Sequence, residues 1–330
     1  MSMKRLFGFA LKTAAIAVVM LITMVLVSGL VLPPDANETD SQEAGGVMIR
    51  LFVVCAVNAL ILALVVTQSR WRGLPLVLGL MFAFYGVQTL IGQIEAIVFL
   101  TPLGEKWGAG SIPMLMMPLD FILSQFVIGA AQSAIGIPFA SLLFGNIKRD
   151  RDERPIALTT EMGAGQWAWK LGAIIVLYEL LYFGFGYYVA WKNPAVTEFY
   201  QGTDPGSFFA QMKHVATRTP TLIPFQAVRA LLWTAFAFPV IRMLRHKPWL
   251  GALLTGLFVS LPMNIPHIVP NAYMPPAVRA AHFVETASST FIFGVLMFWL
   301  LHRSYGSVGE LFGFSNAERG AKELSAQPGA

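Results

Sequence analysis

The amino-acid sequence predicts an all-α polytopic membrane protein with about eight transmembrane helices. Of the 330 residues, 56% are apolar and only 12% are charged, whereas roughly 25% of residues are charged in soluble domains. Largely apolar segments recur along the chain, each long enough to cross a hydrocarbon core about 30 Å thick. The basic residues are concentrated in the short connections between these segments, as is typical of membrane proteins.

Eight apolar segments are predicted to span the membrane. The first follows Lys4 and Arg5 and could be mistaken for a signal peptide. Its apolar core is longer than the roughly 7–15 residues of such a peptide, so we expect an uncleaved span. The predicted spans cover residues 8–32, 47–68, 74–100, 114–145, 167–190, 220–243, 249–269 and 279–301.

The distribution of basic residues predicts the orientation in the membrane. The connections on the side of the N-terminus hold 15 Lys and Arg residues, and those on the opposite side hold 6, with Arg50 and Arg279 at the boundary included. The positive-inside rule therefore predicts cytoplasmic N- and C-termini. We expect an integral protein of the plasma (inner) membrane, surrounded by the lipid bilayer.

Composition and motifs argue against several other classes. The net charge of +5 belongs to the membrane topology, and no basic face interleaved with aromatic residues indicates nucleic-acid binding. Cys55 is the single cysteine, so the chain can form neither an intramolecular disulfide nor a CxxC metal site. The sequence contains no P-loop, no GxSxG, and no GxGxxG between a strand and a helix. We therefore expect no cofactor and no resident metal.

The chain resembles itself at an offset of about 157 residues. Residues 117–135 align without a gap to residues 274–292, and the two segments share Met, Pro, Phe, Val, Ala and Ile. Residues 10–16 match residues 168–174 at nearly the same offset. Either an internal duplication or chance similarity between apolar segments explains these matches.

A duplication would divide the chain into two membrane units of four helices each. Units with an even number of spans are parallel, and a pseudo-twofold axis along the membrane normal relates them. The predicted parts are a first unit (1–147), a basic cytoplasmic linker (148–166), a second unit (167–302) and a cytoplasmic polar tail (303–330).

Two connections have distinctive sequences. The long loop 191–219 is predicted to contain an amphipathic interfacial helix, with Asp204 as its N-cap and Pro205 as its first residue. Prolines interrupt the fourth span and crowd the outer end of the seventh. Because broken helices free backbone carbonyls, segment 261–276 is predicted to be irregular and to line a cavity.

Ionisable and polar side chains within the spans are the candidates for a functional site, because a charge at the bilayer centre costs roughly 2.5–3.5 kcal/mol on translocon scales. Most of them lie in the predicted outer half, which suggests either an outward-opening cavity or a site at the outer leaflet. Helical spacing places His282, Glu285 and Ser289 on one face of the eighth span. The candidates for substrate or proton binding are Glu179, Arg229, His282, Glu285, Asp120, Gln125 and Glu95.

Three roles are open for His282 and Glu285. In a structural role, Glu285 pairs with Arg229 and His282 bonds a backbone carbonyl. In a functional role, the two residues contact a proton or a substrate. Metal ligation is the third, although no clustered histidine set accompanies them.

The charged groups of the other spans also have alternative roles. Arg229 is expected to be the counter-ion of Glu285, Glu179 or Asp120, or else to bind an anionic headgroup. Glu95 lies close enough to the interface to extend towards water. Glu179 lies deeper, which makes it the stronger functional candidate of the two.

Three functions fit these observations. The first is a transporter or permease for a small solute or lipid, which duplication, broken helices and intramembrane carboxylates favour. The second is an intramembrane enzyme acting on a lipid-linked substrate, with His282 or Glu285 as general base and Arg229 holding a phosphate. The third is a non-catalytic membrane partner or assembly factor. The sequence indicates neither the substrate nor the oligomeric state.

Overall fold

The structure, a computed structural model, describes residues 2–33, 41–101, 117–147, 162–200, 202, 204, 206–244, 247–271, 274–305 and 310, with the backbone alone for 41–45. These parts of the chain contain helices and no strand. Eight of the helices are long and apolar enough to cross a membrane. The all-α polytopic fold predicted from composition and segment length is therefore confirmed.

The eight spanning helices agree with the predicted spans to within six residues at each end, because each apolar segment is helical nearly throughout. Two short helices, α6 and α7, lie between the fifth and sixth spans. The helices are α1 (Met3–Val31), α2 (Ser41–Gln68), α3 (Gly73–Phe99), α4 (Leu119–Leu143), α5 (Ala164–Trp191), α6 (Pro194–Phe199), α7 (Phe208–Arg218), α8 (Leu222–Leu244), α9 (Pro248–Ile268) and α10 (Pro276–Leu301).

The two ends of the bundle differ in what they carry. We call the end with α6 and α7 the loop end, and the end where α1 begins and α10 finishes the terminal end. Three spanning helices change their hydrogen-bonding period on the way to the loop end. Both α3 and α5 contain a π-helical segment, Gly86–Leu90 and Gly186–Trp191, and the last turn of α9 is a 3-10 helix, Ile265–Ile268. Such segments are frequent at functional sites.

The prolines have milder effects than the sequence suggested. Pro118 precedes α4 as its N-cap, and the helix continues through Pro138. Likewise α9 continues through Pro262, although a proline cannot donate to the carbonyl four residues before it. The irregular backbone near residues 261–276 therefore begins at Ile265, later than predicted, and Pro113 lies outside the described residues.

The packing of the spans follows a repeated set of pairs. In the first half, α1 packs against α2 and α4, and α3 against α4. In the second half, α5 packs against α8 and α10, and α9 against α10. The halves meet through α2 with α9 and α3 with α8. Equivalent helices of a duplicated chain would form such pairs, although α8 and α9 also contact each other whereas α2 and α3 hardly do.

The duplication itself stays a prediction. The predicted linker, 148–166, lies largely outside the described residues, which resume at 162. Most of the predicted tail, 303–330, lies outside them as well.

The amphipathic helix predicted in the long loop is present as α7, but its predicted start is wrong. Ser207 is the N-cap, and its hydroxyl accepts a hydrogen bond from the Ala210 N–H at 3.2 Å. Asp204 instead accepts from the Gly206 N–H at 2.9 Å and pairs with Lys192. The chain turns at Gly206, whose φ of 82° favours glycine, so the helix begins after this turn. Pro205 lies outside the described residues.

Small residues bring α9 and α10 close together. A Cβ added to Gly294 on α10 would lie 2.9 Å from the Cα of Gly256 and 3.0 Å from the carbonyl oxygen of Thr255 on α9. Glycine at such a contact permits close approach of two backbones in a membrane. The approach holds the polar faces of the two helices against each other nearer the loop end.

Candidate polar site between the helices

A small cavity lies among five helices near the loop end. Its volume is about 40 Å³. The cavity therefore has room for a few water molecules, but not for a larger solute in this conformation. It is lined by Glu95 of α3, Tyr178, Leu181 and Tyr182 of α5, Arg229 and Trp233 of α8, Met263 and Asn264 of α9, and Glu285, Thr286, Ser289 and Thr290 of α10.

An ion pair between α3 and α8 forms one wall. Arg229 Nη2 donates to Glu95 Oε2 at 2.6 Å, and Arg229 Nη1 donates to Gln226 Oε1, one turn earlier on α8, at 2.9 Å. The Arg229 side chain is 4% exposed and the Glu95 side chain 30% exposed. The guanidinium is thus fixed inside the bundle, whereas the carboxylate reaches the surface.

Aromatic rings surround the guanidinium. Its central carbon lies 6.0 Å from the ring centre of Tyr178 and 5.9 Å from those of Tyr182 and Phe225. Rings at this distance attract a cation and exclude water from its faces. Exclusion of water strengthens the electrostatic attraction of Arg229 for negative charge.

A chain of three hydrogen-bonded side chains runs from the cavity to the loop end. His282 Nδ1 lies 2.9 Å from Glu285 Oε2, and His282 Nε2 lies 2.7 Å from the hydroxyl of Tyr200. Tyr200 directly follows α6, outside the spanning helices, and Glu285 lines the cavity. The chain connects an intramembrane carboxylate to the loop that closes this end of the bundle.

Burial keeps the hydroxyl of Tyr200 protonated. Removal from water, with a further contribution from the negative charge of Glu285, holds the pKa of the Tyr200 hydroxyl well above its usual value. The two ring nitrogens of His282 join this hydroxyl to the carboxylate of Glu285.

A polar contact between α9 and α10 forms another part of the wall. Oδ1 of Asn264 lies 2.6 Å from the hydroxyl of Thr286, and Nδ2 donates to Thr290 Oγ1 at 3.2 Å and to the Ser260 carbonyl at 2.8 Å. Asn264 is fully buried. The amide of Asn264 is therefore held firmly, and its hydrogen bonds position the hydroxyl groups of Thr286 and Thr290 along the cavity.

Four of the seven predicted site residues come together. Glu95, Arg229 and Glu285 line the cavity, and His282 is bonded to Glu285. The ion pair differs from the expected ones, because Arg229 pairs with Glu95 rather than with Glu285, Glu179 or Asp120.

The other three lie elsewhere. Glu179 is half-buried and directly follows Tyr178, so its side chain points about 100° away from that cavity-lining residue around α5. Asp120 is exposed in the first turn of α4, where Oδ1 accepts from the Phe121 N–H at 2.9 Å. Gln125 is half-buried on α4. None of the three is among the residues that line the cavity.

Several lining residues were not predicted. Asn264 is a polar residue within an apolar stretch, and this position could have identified it as a candidate site residue. The inward face of α5 contains Tyr178, Tyr182 and Gly186, spaced four residues apart, and a Cβ on Gly186 would lie 3.5 Å from Glu285 Oε1.

A second polar contact lies in the first half of the chain. Gln88 Nε2 on α3 donates to Gln132 Oε1 on α4 at 3.0 Å, and Gln132 Nε2 lies 3.4 Å from the Met20 carbonyl on α1. These glutamines bear no charge. Among the described residues, no three His, Cys, Asp or Glu side chains lie together as a metal site requires.

Comparisons with protein-family models, with curated proteins and with solved structures find no match to this chain. The geometry of the cavity is therefore the basis on which a function is proposed.

Proposed function

We propose that this multi-pass membrane protein is a proton-coupled transporter of a small solute. The observation that carries the proposal is the convergence of two ionisable clusters on one small cavity. Glu95 and Arg229 form the first cluster, and Glu285 with His282 forms the second. Five helices from both halves of the chain contribute to the lining, so a relative movement of the halves would change the cavity.

The small volume of the cavity corresponds to a closed conformation. A solute larger than a few waters requires helices to separate at the loop end, where the π segments of α3 and α5 and the 3-10 turn of α9 lie. Such segments have fewer regular hydrogen bonds to break when a helix bends. The loop end is thus a suitable gate.

Glu285 and His282 are suited to carry the coupled proton. A net charge in the bilayer is costly, so a change in protonation alters which conformation is stable. Tyr200 connects this pair to the loop end. Proton uptake by this pair would therefore be linked to opening or closing of the cavity.

The hydrogen-bonded side chains of Tyr200, His282 and Glu285 also support a second candidate function, which is hydrolysis of a lipid-linked substrate. Glu285, oriented by His282 and Tyr200, lies beside space for water and could act as its general base. Arg229 would then stabilise the negative charge that develops on the substrate. We favour transport because five spanning helices, from both predicted halves of the chain, line the cavity.

Transport is tested in proteoliposomes that enclose a pH-sensitive dye. Solutes of different charge are added outside under an imposed proton gradient. We expect one class to change the internal pH with wild-type protein, and Glu285→Gln and His282→Gln to lower this flux at least about 10-fold. The matched controls are Glu198→Gln and His214→Gln, which alter exposed residues of α6 and α7. Absence of solute-dependent flux, or full flux in Glu285→Gln, would refute the proposal.

A further inference from the structure

Two buried hydrogen-bond donors of the Arg229–Gln226 contact have no acceptor. They are Nε of Arg229 and Nε2 of Gln226, on residues that are 3% and 0% exposed. Gln226 Oε1 already accepts from Arg229, which fixes the orientation of the amide and leaves its N–H groups unpaired. A buried polar group without a partner is destabilising, and native structures usually supply one. Because both unpaired groups are donors, the missing partner is an acceptor.

The unpaired Nε has a defined geometric relation to the ion pair. Nε and Nη2 form one edge of a guanidinium, and a carboxylate or phosphate can bond to both nitrogens of this edge at once. Glu95 bonds only Nη2, through Oε2. Half of this edge of Arg229 is therefore unused.

We propose that Arg229 is the binding residue for an anionic oxygen group of the solute, a carboxylate or a phosphate, which replaces Glu95 on the Nε and Nη2 edge. This inference rests on the proposed function, because it names the chemical class of the transported solute. Gln226 lies beside the guanidinium and offers the additional N–H donors.

The two partners of the ion pair differ in their freedom to move. Arg229 is held by Gln226 and surrounded by three aromatic rings, whereas the side chain of Glu95 is 30% exposed. When an anion arrives, Glu95 can turn towards water while the guanidinium stays in place. Glu95 acts as an internal substitute that keeps the buried cation paired until the solute binds.

The remaining lining suits an organic anion. Leu181, Met263 and the ring carbons of Trp233 supply apolar surface to the lining, and Thr286, Ser289 and Thr290 of α10 supply hydroxyl groups. An anionic group with a small apolar or aromatic body would therefore contact both kinds of wall.

The test measures binding to the purified full-length protein, by thermal unfolding in detergent. The probes are acetate, benzoate and inorganic phosphate, with acetamide and benzamide as neutral counterparts. A probe at 100 times its Kd raises the folded-to-unfolded ratio about 100-fold. We expect at least one anion to stabilise the wild type, and its neutral counterpart to have no such effect.

Glu95→Ala gives a sharper test, because it empties the edge of Arg229. We expect this variant to be less stable than the wild type, and acetate or phosphate to restore its stability at lower concentration than they act on the wild type. Asp204→Ala is the matched control, since it breaks an exposed ion pair with Lys192, and the anions should not restore it. In Glu95→Ala/Arg229→Gln, both charges are absent and the response should be lost.

The results separate the sources of the anion. Stabilisation by soluble anions identifies a free solute, whereas stabilisation by phosphatidylglycerol in mixed micelles, but not by soluble anions, identifies a lipid headgroup. Equal effects of the anions and the neutral amides would overturn the inference, as would a response of Glu95→Ala no larger than that of Asp204→Ala.

Failure of this inference is distinguishable from failure of the proposed function. If the anions bind and no solute drives proton flux in vesicles, the anion site is supported and the transport function is refuted. If only neutral or cationic solutes drive flux, transport stands and the anion site is refuted.

Discussion

Arg229 on α8 and Glu95 on α3 are joined at 2.6 Å by an ion pair that links the two predicted halves of the membrane domain. The two helices also pack against each other along their length. The guanidinium is buried and the carboxylate is partly exposed. Removal of Glu95 therefore has a different consequence from removal of Arg229. Loss of the carboxylate leaves a buried cation without its counter-charge.

We expect Glu95→Gln to lower the free energy of unfolding by about 3 kcal/mol, because breaking a buried ion pair leaves an uncompensated charge. The measurement is equilibrium unfolding in mixed micelles. Asp204→Asn, in the exposed pair with Lys192, serves as the control and should have a much smaller effect. The double variant Glu95→Gln/Arg229→Gln should recover part of the loss. Equal stability of Glu95→Gln and the wild type would contradict this expectation.

The hydroxyl of Tyr200 is hydrogen-bonded to Nε2 of His282, whose Nδ1 lies beside Glu285, so its removal should change the pH dependence of activity. We expect Tyr200→Phe to lower proton-coupled flux about 5-fold near neutral pH and to displace the pH profile. The loss of one hydrogen bond costs about 1 kcal/mol, which corresponds to that factor. The flux is measured in proteoliposomes between pH 5 and 8.

Tyr188→Phe is the control for this substitution, because Tyr188 is exposed on α5. Its pH profile should coincide with that of the wild type. If Tyr200→Phe also has the wild-type profile, the hydrogen-bonded chain has no part in proton transfer.

The fold was predictable because length and hydropathy alone determine which segments cross a membrane. The residues at which helices begin and end were harder to predict. Asp204 and Pro205 have the residue types of a helix start, but the positive φ of Gly206 delays α7 until after Ser207. A turn of this kind depends on a backbone conformation that residue preference does not reveal.

The candidate site was predictable in its members but not in its contacts. Charges in spans are informative on their own, so Arg229, Glu285 and Glu95 were recognisable. Which carboxylate faces Arg229 depends on how each helix is rotated about its axis. In α5 a difference of one residue determines that Tyr178 faces the cavity while Glu179 points away. Single-chain periodicity cannot fix such a rotation when aromatic residues occur on every side.

The close contact of α9 and α10 gives a prediction about packing. A Cβ on Gly294 would meet the backbone of α9 at 2.9 and 3.0 Å, and backbone cannot move aside as a side chain can. We expect Gly294→Ala to lower the free energy of unfolding by about 1–3 kcal/mol. Activity should also fall, because the helices would separate between Asn264 and Thr286.

Gly184→Ala is the matched control, since nothing lies within 4 Å of the position of its Cβ. It should be as stable as the wild type or slightly more so, because alanine favours helix. A Gly294→Ala protein with the stability of the control would show that α9 and α10 are farther apart than described.

The exposed ion pair of the loop end gives a prediction about pH. Hydrogen bonds from Lys192 and from the Gly206 N–H hold the pKa of Asp204 below its usual value. A carboxyl with a lowered pKa stabilises the folded state above its unfolded pKa, near 3.9, and loses this contribution as the pH falls through its folded value. Asp204→Asn should therefore melt below the wild type at pH 7, and the difference should vanish in the acid range.

The measurement is the midpoint of thermal unfolding of both proteins between pH 2 and 8. The difference should also shrink at high salt, because both partners are exposed. Equal midpoints at pH 7, or a difference that grows towards low pH, would show that the ion pair does not stabilise the loop.

The predicted orientation is testable because Cys55 is buried and is the single cysteine. The wild type should not react with a membrane-impermeant maleimide, so single cysteines can be introduced without background labelling.

Two exposed lysines are suitable positions for these cysteines. Lys213 is exposed on α7 at the loop end, and Lys247 is exposed between α8 and α9 at the terminal end. We expect Lys213→Cys to react in intact cells and Lys247→Cys only after permeabilisation, since the positive-inside rule places the terminal end in the cytoplasm. The reverse labelling pattern would show that the orientation is opposite to the predicted one, with the cavity of Arg229 and Glu285 nearer the cytoplasmic side.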